Sequence, residues 1–118
     1  MKRPEPYLLH IVAEMDYLLK HSDPIDFQSF LHDETLRRSF ERSLEIIGEA
    51  TKNIPKAFRE KHHDVPWKDM AGLRDILIHQ YFGVDYARVW DIVKQKIPVL
   101  RERIKALLRE TEGLKGDR

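Results

Sequence analysis

No cysteine occurs anywhere in the chain, so a disulfide framework and a thiolate metal site are both excluded. Five glycines and six prolines among 118 residues leave little room for the many tight turns of an all-β fold. No apolar run approaches the ~20 residues that a membrane helix needs, so no membrane span is expected. Met1 to Pro6 is not followed by an uncharged apolar stretch; a secretory signal is therefore not expected, and a cytoplasmic location is. Charge of one sign is also lacking. With 21 basic and 20 acidic residues the formal net charge is +1, which gives no global pull toward nucleic acid. Any RNA-binding surface must come from local segregation of the basic residues. What the chain does have is 42% hydrophobic residues, enough for a core, and 35% charged residues, enough for a well-solvated surface. Its length suits one domain, expected over 1–112 with a frayed tail at 113–118.

Helical periodicity dominates. Leu8, Ile11, Val12, Met15, Leu18 and Leu19 form an apolar stripe that predicts a first helix from about Tyr7 to Lys20. Ser22-Asp23-Pro24 reads as a stop and a restart, with Asp23 as cap and Pro24 in the first turn of a short helix to about Leu31. Asp33 is the candidate cap of a long helix to about Lys52, with Leu36, Phe40, Leu44, Ile47 and Ala50 facing inward. Pro55 opens a further short helix to about Lys61, and Pro66 restarts the chain after a loop. Gly83 suits the left-handed position after a helix end, and Asp85 caps a last helix to about Glu110 that Pro98 is expected to kink. Four long helices with short connections predict an all-α bundle.

The most informative stretch is Leu73 to Gly83, which carries the pattern R-x4-H-x-Y at Arg74, His79 and Tyr81. On an ideal helix Trp67, Met70, Leu77, Ile78 and Tyr81 fall within roughly 60° of Arg74, which places that arginine in the apolar arc. His79 lies roughly 140° away, on the polar side with Asp75 and Lys68. One helix therefore does not close a site around both, but two copies of it could. A histidine that takes a proton near neutral pH and an arginine that binds phosphate suit RNA cleavage by the 2′-hydroxyl. The same residues also allow a purely structural account: Arg74 paired with a carboxylate, His79 ending a helix and Tyr81 packing at a helix rim. Glu49 is the candidate carboxylate, because Gly48 beside it would let another helix come close; a solvated position on the helix surface is the equal alternative.

Other polar groups carry less. Glu60-x-x-His63 is half of a di-iron bundle motif, but no second Glu-x-x-His occurs, so no metal site is expected. Basic clusters at Arg37-Arg38-Arg42, Lys52-Lys56-Arg59-Lys61 and Arg101-Arg103-Lys105-Arg109 are interleaved with acids such as Glu41, Glu60 and Glu102, as on a solvated helix face. Tyr86 and Trp90, one turn apart, are expected to pack rather than to stack bases.

Two blocks resemble the HepT-like branch of the HEPN ribonuclease family. One is Arg42 to Ala50, RSLEIIGEA. The other is Val65 to Arg74, VPWKDMAGLR, continuing through His79-Gln80-Tyr81-Phe82-Gly83-Val84-Asp85 to Val89-Trp90. The resemblance covers nearly the whole chain. It implies a HEPN-type four-helix bundle with additional short helices, a homodimer with its active site at the interface, and metal-independent endoribonuclease activity without a cofactor. Arg74 and His79 match the family's catalytic pair. Tyr81 matches the tyrosine to which a nucleotidyltransferase antitoxin adds AMP in toxin–antitoxin modules of the type VII kind. The chain departs from the pattern at Asp75, where many HEPN proteins carry asparagine. An acid there would repel a cleaved phosphate unless it orients His79. Two rivals stand beside this reading: a catalytically silent binding partner of a nucleotidyltransferase, and a structural helical dimer.

Overall fold

Three aspartates start helices in the same way. In the computed structural model, which describes residues 3–78 and 83–116, Asp26, Asp33 and Asp85 each turn a carboxylate oxygen back onto the N–H three residues ahead. The acceptors lie 2.9 Å from Ser29 N, 3.0 Å from Leu36 N and 3.1 Å from Arg88 N. Each bond satisfies an amide that the first helical turn leaves unpaired. The helices are α1 (Glu5–Ser22), α2 (Phe27–Leu31), α3 (Glu34–Lys52), α4 (Lys56–Lys61), α5 (Trp67–Ala71), α6 (Asp75–Ile78), α7 (Tyr86–Asp91) and α8 (Ile97–Gly116). A 3₁₀ turn, Gly72–Arg74, joins α5 to α6, and a π turn, Ile92–Lys96, joins α7 to α8. No strand occurs among the described residues. Taken as continuous rods, α1, α3, α5–α6 and α7–α8 form the expected bundle of four, with α2 and α4 as short additions.

One local expectation is corrected. The restart after α1 is capped by Asp26, not Asp23. Asp23 still belongs to the end of α1, its N–H bonded to the Leu19 carbonyl at 3.0 Å. Beginning the helix at Phe27 puts Phe27 and Phe30 on one inward face three residues apart, and Phe30 is fully buried. The Ser29 N–H also holds the Asp26 carboxyl below its usual value. Pro98 lies in the first turn of α8. A proline inside a helix has no N–H to donate and crowds the carbonyl four residues back. Here the helix widens just before it: Ile97 N–H reaches the Ile92 carbonyl, five residues back, and the chain continues as helix to Gly116.

The core forms where the rods meet. Leu8, Ile11, Met15 and Leu18 of α1 face Phe40, Leu44 and Ile47 of α3, and all are fully buried. Val93, Ile97 and Ile104 supply the face of the last rod, which lies against α1. Phe30 plugs one end, its ring 5.0 Å from Phe40, 5.2 Å from Trp90 and 6.2 Å from Tyr86, centre to centre. Full burial of a ring such as Phe30 or Phe40 contributes about 1.5–3 kcal/mol. Tyr86 and Trp90 thus pack, as expected. On the far side of α3, Trp67 donates its indole N–H to the His62 carbonyl at 3.0 Å, which fixes the loop that delivers the chain into α5.

Candidate functional site

Gly48 decides how closely the motif stretch approaches α3. A Cβ on Gly48 would stand 3.1 Å from the Ala71 carbonyl oxygen, 3.1 Å from Arg74 N and 3.2 Å from Arg74 Cβ. Two of those neighbours are backbone atoms, so the 3₁₀ turn lies directly on the glycine. The close approach expected from the sequence is therefore present, and it brings Arg74 beside Glu49, the next residue of α3. Arg74 Nη1 donates to Glu49 Oε1 at 2.6 Å.

The Arg74–Glu49 pairing agrees with expectation, but the burial of Arg74 does not. Its side chain is 41% exposed and that of Glu49 is 46% exposed. The buried face of the stretch is Trp67, Met70 and Leu73, at intervals of three. A 3₁₀ turn has three residues per turn, so Leu73 follows Met70 inward and Arg74 rotates to the rim. An ideal α-helix would have turned Arg74 inward instead. At this exposure the ion pair contributes about 0–1 kcal/mol to stability. Its stronger effect is on direction: a charge-assisted bond holds one end of the guanidinium. A guanidinium carries five N–H donors, so a single carboxylate oxygen does not exhaust it. The arginine is anchored and accessible, the state in which it can bind a phosphate.

Asp75 follows directly, exposed, as the first residue of α6. His79 and Tyr81 lie outside the described residues. The chain returns at Gly83 with φ of +110°, a conformation that glycine adopts without a Cβ clash.

A second polar contact on α3 has no signature in the sequence. The Tyr86 hydroxyl donates to Glu41 Oε2 at 2.9 Å, and the Arg37 guanidinium sits 5.1 Å from the centre of the Tyr86 ring. Arg37 also donates to the Leu31 carbonyl. Burial, followed by the Glu41 acceptor, raises the Tyr86 pKa above its ordinary value, so the phenol stays protonated. Glu34, Arg37, Arg38, Glu41 and Tyr86 line a shallow polar cavity of about 310 Å³. The residue types give no warning of this cluster, because Glu41 and Tyr86 are 45 positions apart.

Neighbouring acids hold many of the basic residues. Arg38 pairs with Glu34, Arg42 with Glu45, Lys56 with Glu60, Arg101 with Asp16 and Arg103 with Asp64. Most of these are exposed pairs on helix faces, as the interleaved charges predict. Among the described residues no group of three or more histidines and carboxylates lies close enough to hold a metal ion. None of the helices among them is long and apolar enough to cross a membrane.

Comparison with known proteins matches residues 11–107 to the ribonuclease HepT-like family model. A protein of Caldanaerobacter subterraneus subsp. tengcongensis named "Putative RNase TTE0752" is 52% identical over 110 residues, covering 93% of this chain and 98% of its own. The "Probable ribonuclease HepT" of Thermococcus cleftensis is 43% identical over 108 residues, covering 91% and 98%. "Putative RNase MJ0125" of Methanocaldococcus jannaschii is 40% identical over 106 residues, covering 90% and 91%. No solved structure matches the chain. An all-α bundle that carries the R-x4-H-x-Y stretch, with the arginine presented at its rim, and that matches one family over most of its length, belongs to the HepT-like ribonuclease family.

Proposed function

We propose that the chain is a metal-independent endoribonuclease of the cytoplasm, active as a homodimer, and the toxin half of a type VII-like toxin–antitoxin module. The observation that carries this reading is the half-exposed Arg74, anchored by Glu49 and beside Asp75. The family match and the ribonuclease names of the relatives support RNA as the substrate.

In this mechanism the 2′-oxygen attacks the adjacent phosphorus while its proton passes toward His79. Negative charge grows on the non-bridging oxygens, where the Arg74 guanidinium stabilises it. The bond from phosphorus to the 5′-oxygen then breaks. The products are a 2′,3′-cyclic phosphate and a 5′-hydroxyl, the leaving oxygen taking up a proton. On helical spacing Arg74 and His79 point about 140° apart, so a two-fold pair of motif stretches assembles the site more readily than one. Asp75 orients His79 rather than meeting the phosphate directly. Tyr81 is the control point: AMP transferred to its hydroxyl by a nucleotidyltransferase antitoxin places a phosphate and a base at the mouth of the cleft and blocks RNA.

The test is cleavage of labelled RNA by the purified protein in EDTA. The expected outcome is cleavage that survives the chelator and is lost in both Arg74→Ala and His79→Ala. A folded His79→Ala protein that cuts at the wild-type rate would remove His79 as the base. Co-expression with the nucleotidyltransferase should raise the intact mass by one or more AMP units and silence cleavage, and Tyr81→Phe should escape both effects.

A further inference from the structure

We infer that Glu41 and Tyr86 are positioning residues: they tether the far end of the motif stretch to α3, as Glu49 and Arg74 tether its near end. This inference rests on the ribonuclease reading above.

Glu41 and Glu49 stand on one uninterrupted helix, eight residues or about 12 Å apart along its axis. Each is the acceptor for one end of the same stretch of chain. Arg74 binds Glu49 at 2.6 Å where the stretch begins, and Tyr86 binds Glu41 at 2.9 Å where it ends. Helix α3 thus sets the spacing of the two ends, positions 74 and 86, between which His79 and Tyr81 lie in sequence. Such a ruler matters because the core grips the described residues of the stretch only in part. Gly83 brings no side chain to pack. Ile76, Leu77 and Val84 are only partly buried against the core.

The hydroxyl of Tyr86 is not required to hold its own ring. The ring already packs edge-on against Phe30, at 6.2 Å and 75°, and lies under the Arg37 guanidinium. Arg37 is itself fastened to the Leu31 carbonyl. What the hydroxyl adds is a directed bond to α3, which fixes where along that helix α7 begins. A misplacement of about 1 Å in a catalytic group lowers a rate on the order of a hundredfold. A partial loosening at the far end of the stretch should therefore appear in kcat before it appears in substrate binding.

The experiment compares Tyr86→Phe, Glu41→Ala, Glu41→Gln and the double variant Tyr86→Phe/Glu41→Ala. Single-turnover and steady-state RNA cleavage are measured alongside amide hydrogen exchange. Tyr86→Phe is expected to lower kcat about tenfold with KM within about twofold of wild type. Glu41→Ala should match it, and the double variant should fall no further, because both changes remove one bond. Glu41→Gln keeps an acceptor oxygen and should recover most of the rate. Amides of residues 75–85 should exchange faster in Tyr86→Phe, with α1 and α8 unchanged. Wild-type kcat in Tyr86→Phe would overturn the inference, as would losses that add in the double variant. If the wild-type protein cuts no RNA, the ribonuclease reading falls by itself. The exchange measurement still decides the tether, and unchanged exchange at 75–85 in Tyr86→Phe would overturn it.

Discussion

Helix α3 holds one conformation for 19 residues, whereas the stretch from Trp67 to Ile78 passes from α-helix to 3₁₀ turn and back to α-helix. The two pack against each other. Helix α3 begins at a side-chain cap, Asp33, and carries its apolar residues at helical spacing. The motif stretch begins at Pro66 with no side-chain cap, and its buried residues fall at intervals of three. Local rules are enough to explain the first. The second takes its form from what it lies against, above all the bare backbone at Gly48. A stretch shaped by its neighbour can present a charged side chain at the rim where its own periodicity would have buried it. Arg74 is that side chain.

Four substitutions test this contrast, in decreasing order of effect. Phe40→Ala removes a fully buried ring from the regular side of the pair. It should cost about 3–5 kcal/mol, seen as a drop in the denaturant midpoint at unchanged slope. A cost below about 1 kcal/mol would mean that α3 is not the frame on which the motif stretch rests.

Gly48→Leu strikes the junction. A leucine side chain meets the Ala71 carbonyl and the Arg74 backbone, which cannot move aside as a flexible side chain would. Overpacking should cost about 1–3 kcal/mol, partly offset by the better helix propensity of leucine, worth about 0.8 kcal/mol over glycine. RNA cleavage should fall further than stability does, because the displaced turn carries Arg74 away from Glu49. Thermal melts and cleavage rates on the same sample would show this, and a stable variant with full activity would break the proposed dependence of Arg74 on that contact.

The smallest effects sharpen the local side of the comparison. Asp33→Ala removes the cap of α3 and should cost about 1 kcal/mol. Arg38→Ala, which breaks a pair whose members are 76% and 66% exposed, should change the melting midpoint by no more than about 0.5 kcal/mol in equivalent stability. Equal effects from the two would show that the helix start is not set by its cap.

How far the sequence reached is visible in single residues. Asp33 and Asp85 as caps, the end of α3 at Lys52 and the positive φ at Gly83 all depend on a few neighbouring residues, and all were legible. The shift of the α2 cap to Asp26 was not, because Asp23 and Asp26 offer the same local chemistry and the burial of Phe30 decides between them. The pairing of Arg74 with Glu49 was legible as a possibility, through Gly48 and a carboxylate beside it. The exposure of Arg74 was not, since helical spacing assumes 100° per residue and the 3₁₀ turn breaks that assumption.

By itself, then, the sequence determined the all-α class, the main helices and their caps, and the residue types available for chemistry. These follow from periodicity and from hydrogen bonds between residues a few positions apart. Only the tertiary structure decided that a 3₁₀ turn lies on Gly48, that Arg74 stands at the rim in the grip of Glu49, and that Tyr86 reaches Glu41 across 45 positions. Those outcomes depend on which backbone surfaces come close enough to touch, and no short-range pattern encodes that distance.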